Sequence, residues 1–250
     1  MRLNIKLIKK LSNYLLIFAA SSLALFEGTL GLLDISKGKK AALSSELKHI
    51  AQFEERLTEL SFKQLPELKL GFNSAHLKAL REFVPSRALY PIYWPSATIF
   101  ALFCAFYVPQ ENKIFIPSHF LTLVPSYTSC VVAHELGHAL FYQNSLELRE
   151  RIAKEEPVAL ALFEGLAEQL AFDYCKKSEL SYVAKRLALY ALQNGKDEPS
   201  QINRYAAGYS FVSYVSSKLG KRAALAAIAK SPPATLEELL QPDSWLEKLR

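Results

Sequence analysis

From Ser44 to Leu60, apolar residues recur at three- and four-residue steps (Leu47, Ile50, Phe53, Leu57, Leu60), a period that predicts a helix. Alternation takes over in Pro66–Phe72, where Leu68, Leu70 and Phe72 mark a strand, and Ser74–Phe83 returns to helical spacing. The run Ala97–Val108 is apolar, aromatic and rich in β-formers; with a turn at Pro109–Asn112 and a return over Lys113–Pro117 it predicts a hairpin. Beyond it the spacing is helical. Val131, Val132, Leu136 and Leu140 mark one helix, and the polar stretch Gln143–Glu156 reads as a loop with a broken helix. Pro157 then opens a helix running to Cys175, at a position where a missing N–H costs nothing. Up to Phe172 that helix is apolar on every side except at Glu164, Glu168 and Gln169, and a helix apolar all round is a buried one. A further helix, carrying Tyr205, ends at Gly220. Strands first and helices after predict an α+β fold: a small mixed sheet with a hairpin edge, then a mainly helical lobe.

Composition changes the picture mainly at the N-terminus. Half of the 250 residues are apolar and 22% are charged, which allows a sizeable core and excludes a disordered chain. The net charge of +6 suggests nucleic acid until it is located. Residues 1–40 hold a balance of +5, so the remainder is nearly neutral and gives no phosphate-binding surface. A basic stretch from Arg2 to Lys10 followed by a 13-residue apolar run, Tyr14–Phe26, has the layout of an export signal. With Glu27 tolerated, the apolar character reaches Leu33, long enough for an anchor. Residues 1–33 are therefore expected to be a signal peptide or N-terminal membrane anchor, with membrane association through 14–33. Residues 34–43 are expected to be a linker, and 44–250 one domain outside the cytoplasm, periplasmic, secreted or anchored.

The chemistry centres on His134-Glu135-Leu136-Gly137-His138. Four helical residues advance about 400°, so His134 and His138 project from one face a turn apart and can reach one metal ion. Glu135 is rotated about 100° from His134, placing its carboxylate beside the ion, where it can take a proton from water. Two histidines and a glutamate on a buried helix need partners. Glu164 fits as a third ligand: an ionised carboxylate in an apolar setting needs a cation or strong hydrogen bonds. Two histidines and a glutamate leave a fourth position open, as catalytic zinc sites do. Glu168, one turn on, could accept the far N–H of a ligand histidine. Cys130 lies a turn before His134 and is expected to be a packed core thiol, with a fourth ligand as the alternative; Cys104 and Cys175 complete at most one pair and a leftover. His49 and His76 are expected at the surface, and His119 is not counted as a ligand.

The blocks His134-Glu-Leu-Gly-His138 and Phe163-Glu-Gly-Leu-Ala167 resemble the gluzincin metallopeptidases, in particular peptidase MA-like domains related to the aminopeptidase N group. A third block, Tyr205-Ala-Ala-Gly208-Tyr-Ser-Phe-Val-Ser-Tyr214 with Lys218-Leu-Gly220, looks like that group's Tyr-x-x-Gly helix. Thr235-Leu-Glu-Glu-Leu and Trp245 are similar to the ends of such domains, so the likeness covers roughly residues 95–250. It implies a zincin-like fold, zinc on His134, His138 and Glu164, Glu135 as the general base, and Tyr205 as the donor to the transition-state oxyanion. Amide hydrolysis needs such a donor besides the metal. No histidine follows His138, so a tyrosine or arginine must serve, and Tyr209 stands as the alternative to Tyr205. The chain has no Gly-x-Met-Glu-Asn strand, the amine grip of the aminopeptidases, and Met1 is its only methionine.

The expectation is a zinc-dependent metallopeptidase acting on a peptide or protein substrate. The alternative is a non-catalytic adaptor on a peptidase-like zinc-binding scaffold, against which the intact Glu135 argues.

Overall fold

The computed structural model describes residues 35–70, 105–116, 125–175 and 201–249, with 35–40, 125–127 and 201–205 described by backbone alone. The expected export segment 1–33, the expected helix 74–83 with His76, residues 97–104 of the expected strand, Cys104 and His119 lie outside the described residues.

The first periodic stretch folds as α1, Ile35–Thr58. It begins earlier than expected, so the backbone of 35–43, read as a linker, is helical. Lysines around Gly38 looked like a break, but one glycine costs a helix only about 1 kcal/mol. Burial of Leu43, Leu47 and Ile50 offsets that. The expected strand segments form β1 (Glu67–Leu70), β2 (Phe106–Val108) and β3 (Lys113–Ile116), in the order β1-β3-β2. β1 runs parallel to β3 and β2 antiparallel to it, pairing Tyr107 with Ile114. The expected hairpin is therefore present, and its turn ends at Asn112 with φ 49°. Both faces of the central strand are covered: Ile114 and Ile116 pack against the helices, and Phe115 joins Val108 and Phe106 on the other side.

The helical part supplies most of the described residues. It comprises α2 (Pro125–Asn144), α3 (Leu146–Ala153), α4 (Pro157–Tyr174), α5 (Gln201–Leu219), α6 (Lys221–Lys230), α7 (Leu236–Leu240) and α8 (Pro242–Lys248). The architecture is α+β, mostly helical, with one small mixed sheet. α3 is the helical piece of the stretch read as a loop with a broken helix; Ser145 caps it, its hydroxyl accepting from Leu148 N–H. α7 starts with a capping box, Thr235 and Glu238 each accepting the other's backbone N–H. No helix among the described residues is long and apolar enough to cross a membrane.

α2 sits between two cores. Val132, Ala133, Leu136 and Ala139 pack toward α1 and the sheet, whereas Leu140 and Phe141 join α3 to α6 and Trp245 of α8. A helix buried on nearly all sides has no polar face to spend on solvent. Its polar residues must be matched by other elements, chiefly α4, which packs along it.

Candidate metal centre

α2 presents His134 and His138 toward α4, which answers with Glu164 and Glu168. His134 Nε2 and His138 Nε2 lie 3.1 Å apart, and each is 3.3 Å from Glu164 Oε2. These three atoms converge on one point and are close enough to hold a metal ion. Glu164 Oε2 is buried and has no hydrogen-bond partner, so its lone pairs face the convergence point unspent. On the far side of the first imidazole, His134 Nδ1 is 3.3 Å from Glu168 Oε2. That contact fixes the ring so that Nε2 points inward. The His138 ring rests on Phe163, with centroids 4.2 Å apart.

Electrostatics follow from burial. Burial opposes a proton on His134, but its bonds to Glu164 and Glu168 and the charge of Glu135 raise its pKa well above the ordinary value. Burial opposes charge on Glu164 too; the charge of His138 and the closeness of both imidazoles outweigh it and hold the carboxyl far below the usual range. The group therefore stores negative charge and draws a cation.

Glu135 points elsewhere, as its helical position requires. Burial raises its pKa, both imidazoles offset this, and the backbone N–H of Tyr107 in β2 donates to its carboxylate. The hairpin thus positions the candidate base. The side chains of Glu164 and His134 keep 25% and 18% of their exposure, although Glu164 Oε2 itself is buried.

The expected residues fall into place unequally. His134, His138, Glu164 and Glu168 are brought together, with Glu135 beside them. Tyr205 lies on α5, three residues before Gly208, and is described by backbone alone. Tyr209, the alternative, packs against Phe172 of α4, the ring centroids 5.2 Å apart and the planes tilted. His49 is exposed, as expected. One expectation is corrected: Cys130 is joined to Cys175 in a disulfide, so it is neither a free core thiol nor a fourth ligand. The antiparallel packing of α2 on α4 brings the start of one to the end of the other.

The sequence reading also missed Glu54. Ser129 of α2 donates to Glu46 of α1, and Asn144 of α2 donates to the Ser61 carbonyl just beyond it, both 83 residues apart. The two helices therefore run parallel in constant register, which puts Glu54 level with Gly137. Glu54 is fully buried and neither carboxyl oxygen has a hydrogen-bond partner. Burial holds its proton on well past the usual carboxylate range, and the charge of His134 opposes this. The available signal was an acid inside an apolar stripe.

Compared with protein-family models, curated proteins and solved structures, the chain matches none.

Proposed function

We propose that this chain is a zinc-dependent metallopeptidase of zincin-like fold that cleaves a peptide or protein substrate outside the cytoplasm. The observation that carries the reading is the triangle of His134 Nε2, His138 Nε2 and Glu164 Oε2, with edges of 3.1, 3.3 and 3.3 Å. Tetrahedral zinc with bonds near 2.0–2.1 Å separates its ligand atoms by about 3.3–3.4 Å. The donor set also suits zinc, and it leaves a position free on the exposed side. When bound, the ion supplies a Lewis acid that polarises a scissile carbonyl and acidifies water.

The chain's own residues do the rest. Glu135 takes the proton of the attacking water and passes it to the leaving amine; its raised pKa suits both steps. The N–H of Tyr107 keeps that carboxylate aimed. Glu168 holds His134 in the tautomer that presents Nε2. Tyr205 donates to the oxyanion from α5, the helix that crosses α4 at Gly165 and Gly208. The resemblance to gluzincins and the basic, apolar start of the chain support the same reading. A disulfide between Cys130 and Cys175 fits an oxidising compartment.

Elemental analysis with a peptide-library cleavage screen tests this. The protein should hold one zinc per chain, Glu164→Gln should lose most of it, and Glu135→Gln should keep it while losing nearly all turnover. A protein that takes up no zinc, or a Glu135→Gln variant that cleaves as the wild type does, would sink the proposal.

A further inference from the structure

The three candidate ligands, His134, His138 and Glu164, and the two glutamates beside them, Glu135 and Glu168, lie within the loop closed by Cys130–Cys175. The ligand histidines and the answering carboxylates belong to different helices, so the site exists only if α2 and α4 keep their register. The contacts between them run antiparallel in nearly constant step. Cys130 faces Cys175, His134 faces Glu168, Gly137 faces Ala167, and His138 faces Glu164.

Two of these contacts fix position without a metal. At Gly137 the backbones touch: a Cβ there would stand 2.9 Å from Ala167 Cα. A single touching point still lets helices swing and slide. The disulfide, with its Cα atoms 5.8 Å apart, is a second fixed point, seven residues or about 10 Å along α2 from the first. Sliding by one residue is about 1.5 Å, whereas a working site tolerates about 0.5 Å.

We propose that Cys130 and Cys175 are positioning residues for the metal site, their bond setting the α2–α4 register that brings Glu164 onto the two histidines. The inference rests on the zinc reading above. Its consequence is that a chain folded with both thiols reduced carries a slack site, so full metal affinity arises only where disulfides form.

The test is the zinc dissociation constant of folded protein, measured by competition with a chromogenic chelator well below the melting temperature. Cys130→Ser/Cys175→Ser should bind zinc at least about tenfold more weakly, with a faster release rate, at unchanged far-UV circular dichroism. A bridge that only stabilises the fold would lower the melting temperature and leave the constant of the folded protein alone. If the double variant does not fold, the folded wild type is reduced with a water-soluble phosphine, which becomes the phosphine oxide as one water supplies the thiol protons. Zinc release is then timed before and after reduction, and faster release supports the proposal. Equal release, or equal affinity in the double variant, overturns this inference and leaves the zinc reading standing. Oxidised wild type that takes up no zinc overturns both.

Discussion

Where α4 crosses α5, Gly165 and Gly208 set backbone against backbone. A Cβ on Gly165 would stand 2.1 Å from the Gly208 carbonyl carbon and 2.5 Å from Tyr209 N; one on Gly208 would stand 1.8 Å from the Ala161 carbonyl oxygen. Ordinary carbon contacts begin near about 3.5 Å, so Gly165→Ala asks the helices to part by more than ~1 Å. Every atom met is main chain, so no rotamer change absorbs the clash. Nor has α4 slack on its other side, where Gly137 already touches Ala167. Overpacking costs about 1–3 kcal/mol and more where nothing yields, which puts Gly165→Ala near about 3 kcal/mol. For a chain of this size each kcal/mol lowers Tm by about 2–4 °C, so a drop of about 6–12 °C is expected. Gly208→Ala should cost as much or more. Gly137→Ala, with 2.9 Å to Ala167 Cα, should cost less. Gly220→Ala meets nothing within 4 Å and loses only the ease of φ 78°, about 1–2 kcal/mol. Thermal unfolding followed by circular dichroism gives the ranking. Zinc content should fall with Gly165→Ala, because Glu164 is its neighbour, and hold with Gly220→Ala. A Gly165→Ala protein melting within about 2 °C of wild type would refute the close crossing.

Two further outcomes follow from the site. Tyr205→Phe should keep zinc and lower kcat by about two to three powers of ten with little change in KM, the scale of one lost oxyanion donor; an intact kcat would move that role to Tyr209 or Arg204. Glu54 keeps its proton in the fold at pH values where the unfolded chain, with a carboxyl near 4.5, has released it. Its contribution is therefore whole below that pH and is lost as pH rises toward the raised folded value. Glu54→Gln does not titrate, so in urea melts of metal-free protein its stability relative to wild type should climb with pH, by up to about 1.4 kcal/mol per unit; a flat difference would mean that Glu54 ionises normally.

The parts of the site that were legible in the sequence are those set by a single helix. The four-residue step of His134 and His138 determines their common face whatever surrounds α2. Glu164 and Glu168 were legible through a contradiction, acids on a helix otherwise apolar all round. The same contradiction existed at Glu54 and was not seen, because the apolar arc of α1 is broad. Read from Leu47, Ile50, Phe53, Leu57 and Leu60, the stripe is complete without Glu54, which falls between Leu47 and Ile50 near one edge of it. The buried line runs through Leu43, Leu47, Ile50, Ala51, Glu54 and Thr58, with Phe53, Leu57 and Leu60 only partly covered. Which edge of a wide arc is buried depends on where the neighbouring helix lies, and that is a tertiary fact. β1 was legible by alternation and the hairpin by β-formers around a turn, but the parallel pairing of β1 with β3 was not, since it joins segments more than forty residues apart.

The disulfide lay between these cases. Three cysteines admit three pairings, and composition cannot choose among them. The structure makes His134 the ligand histidine that Glu168 answers, and that pairing implies more than a ligand set. Glu164, four residues earlier on α4, meets His138, four residues later on α2, so the two helices must run antiparallel. A residue one turn before His134 must then lie near one a turn or two beyond Glu168. Cys130 and Cys175 are such a pair, and the bridge they form is the one found. The chemistry of a metal site that spans two helices thus carries long-range information that periodicity lacks. Each ligand pair fixes which residues face each other, and the next contact along the helices can be read from it.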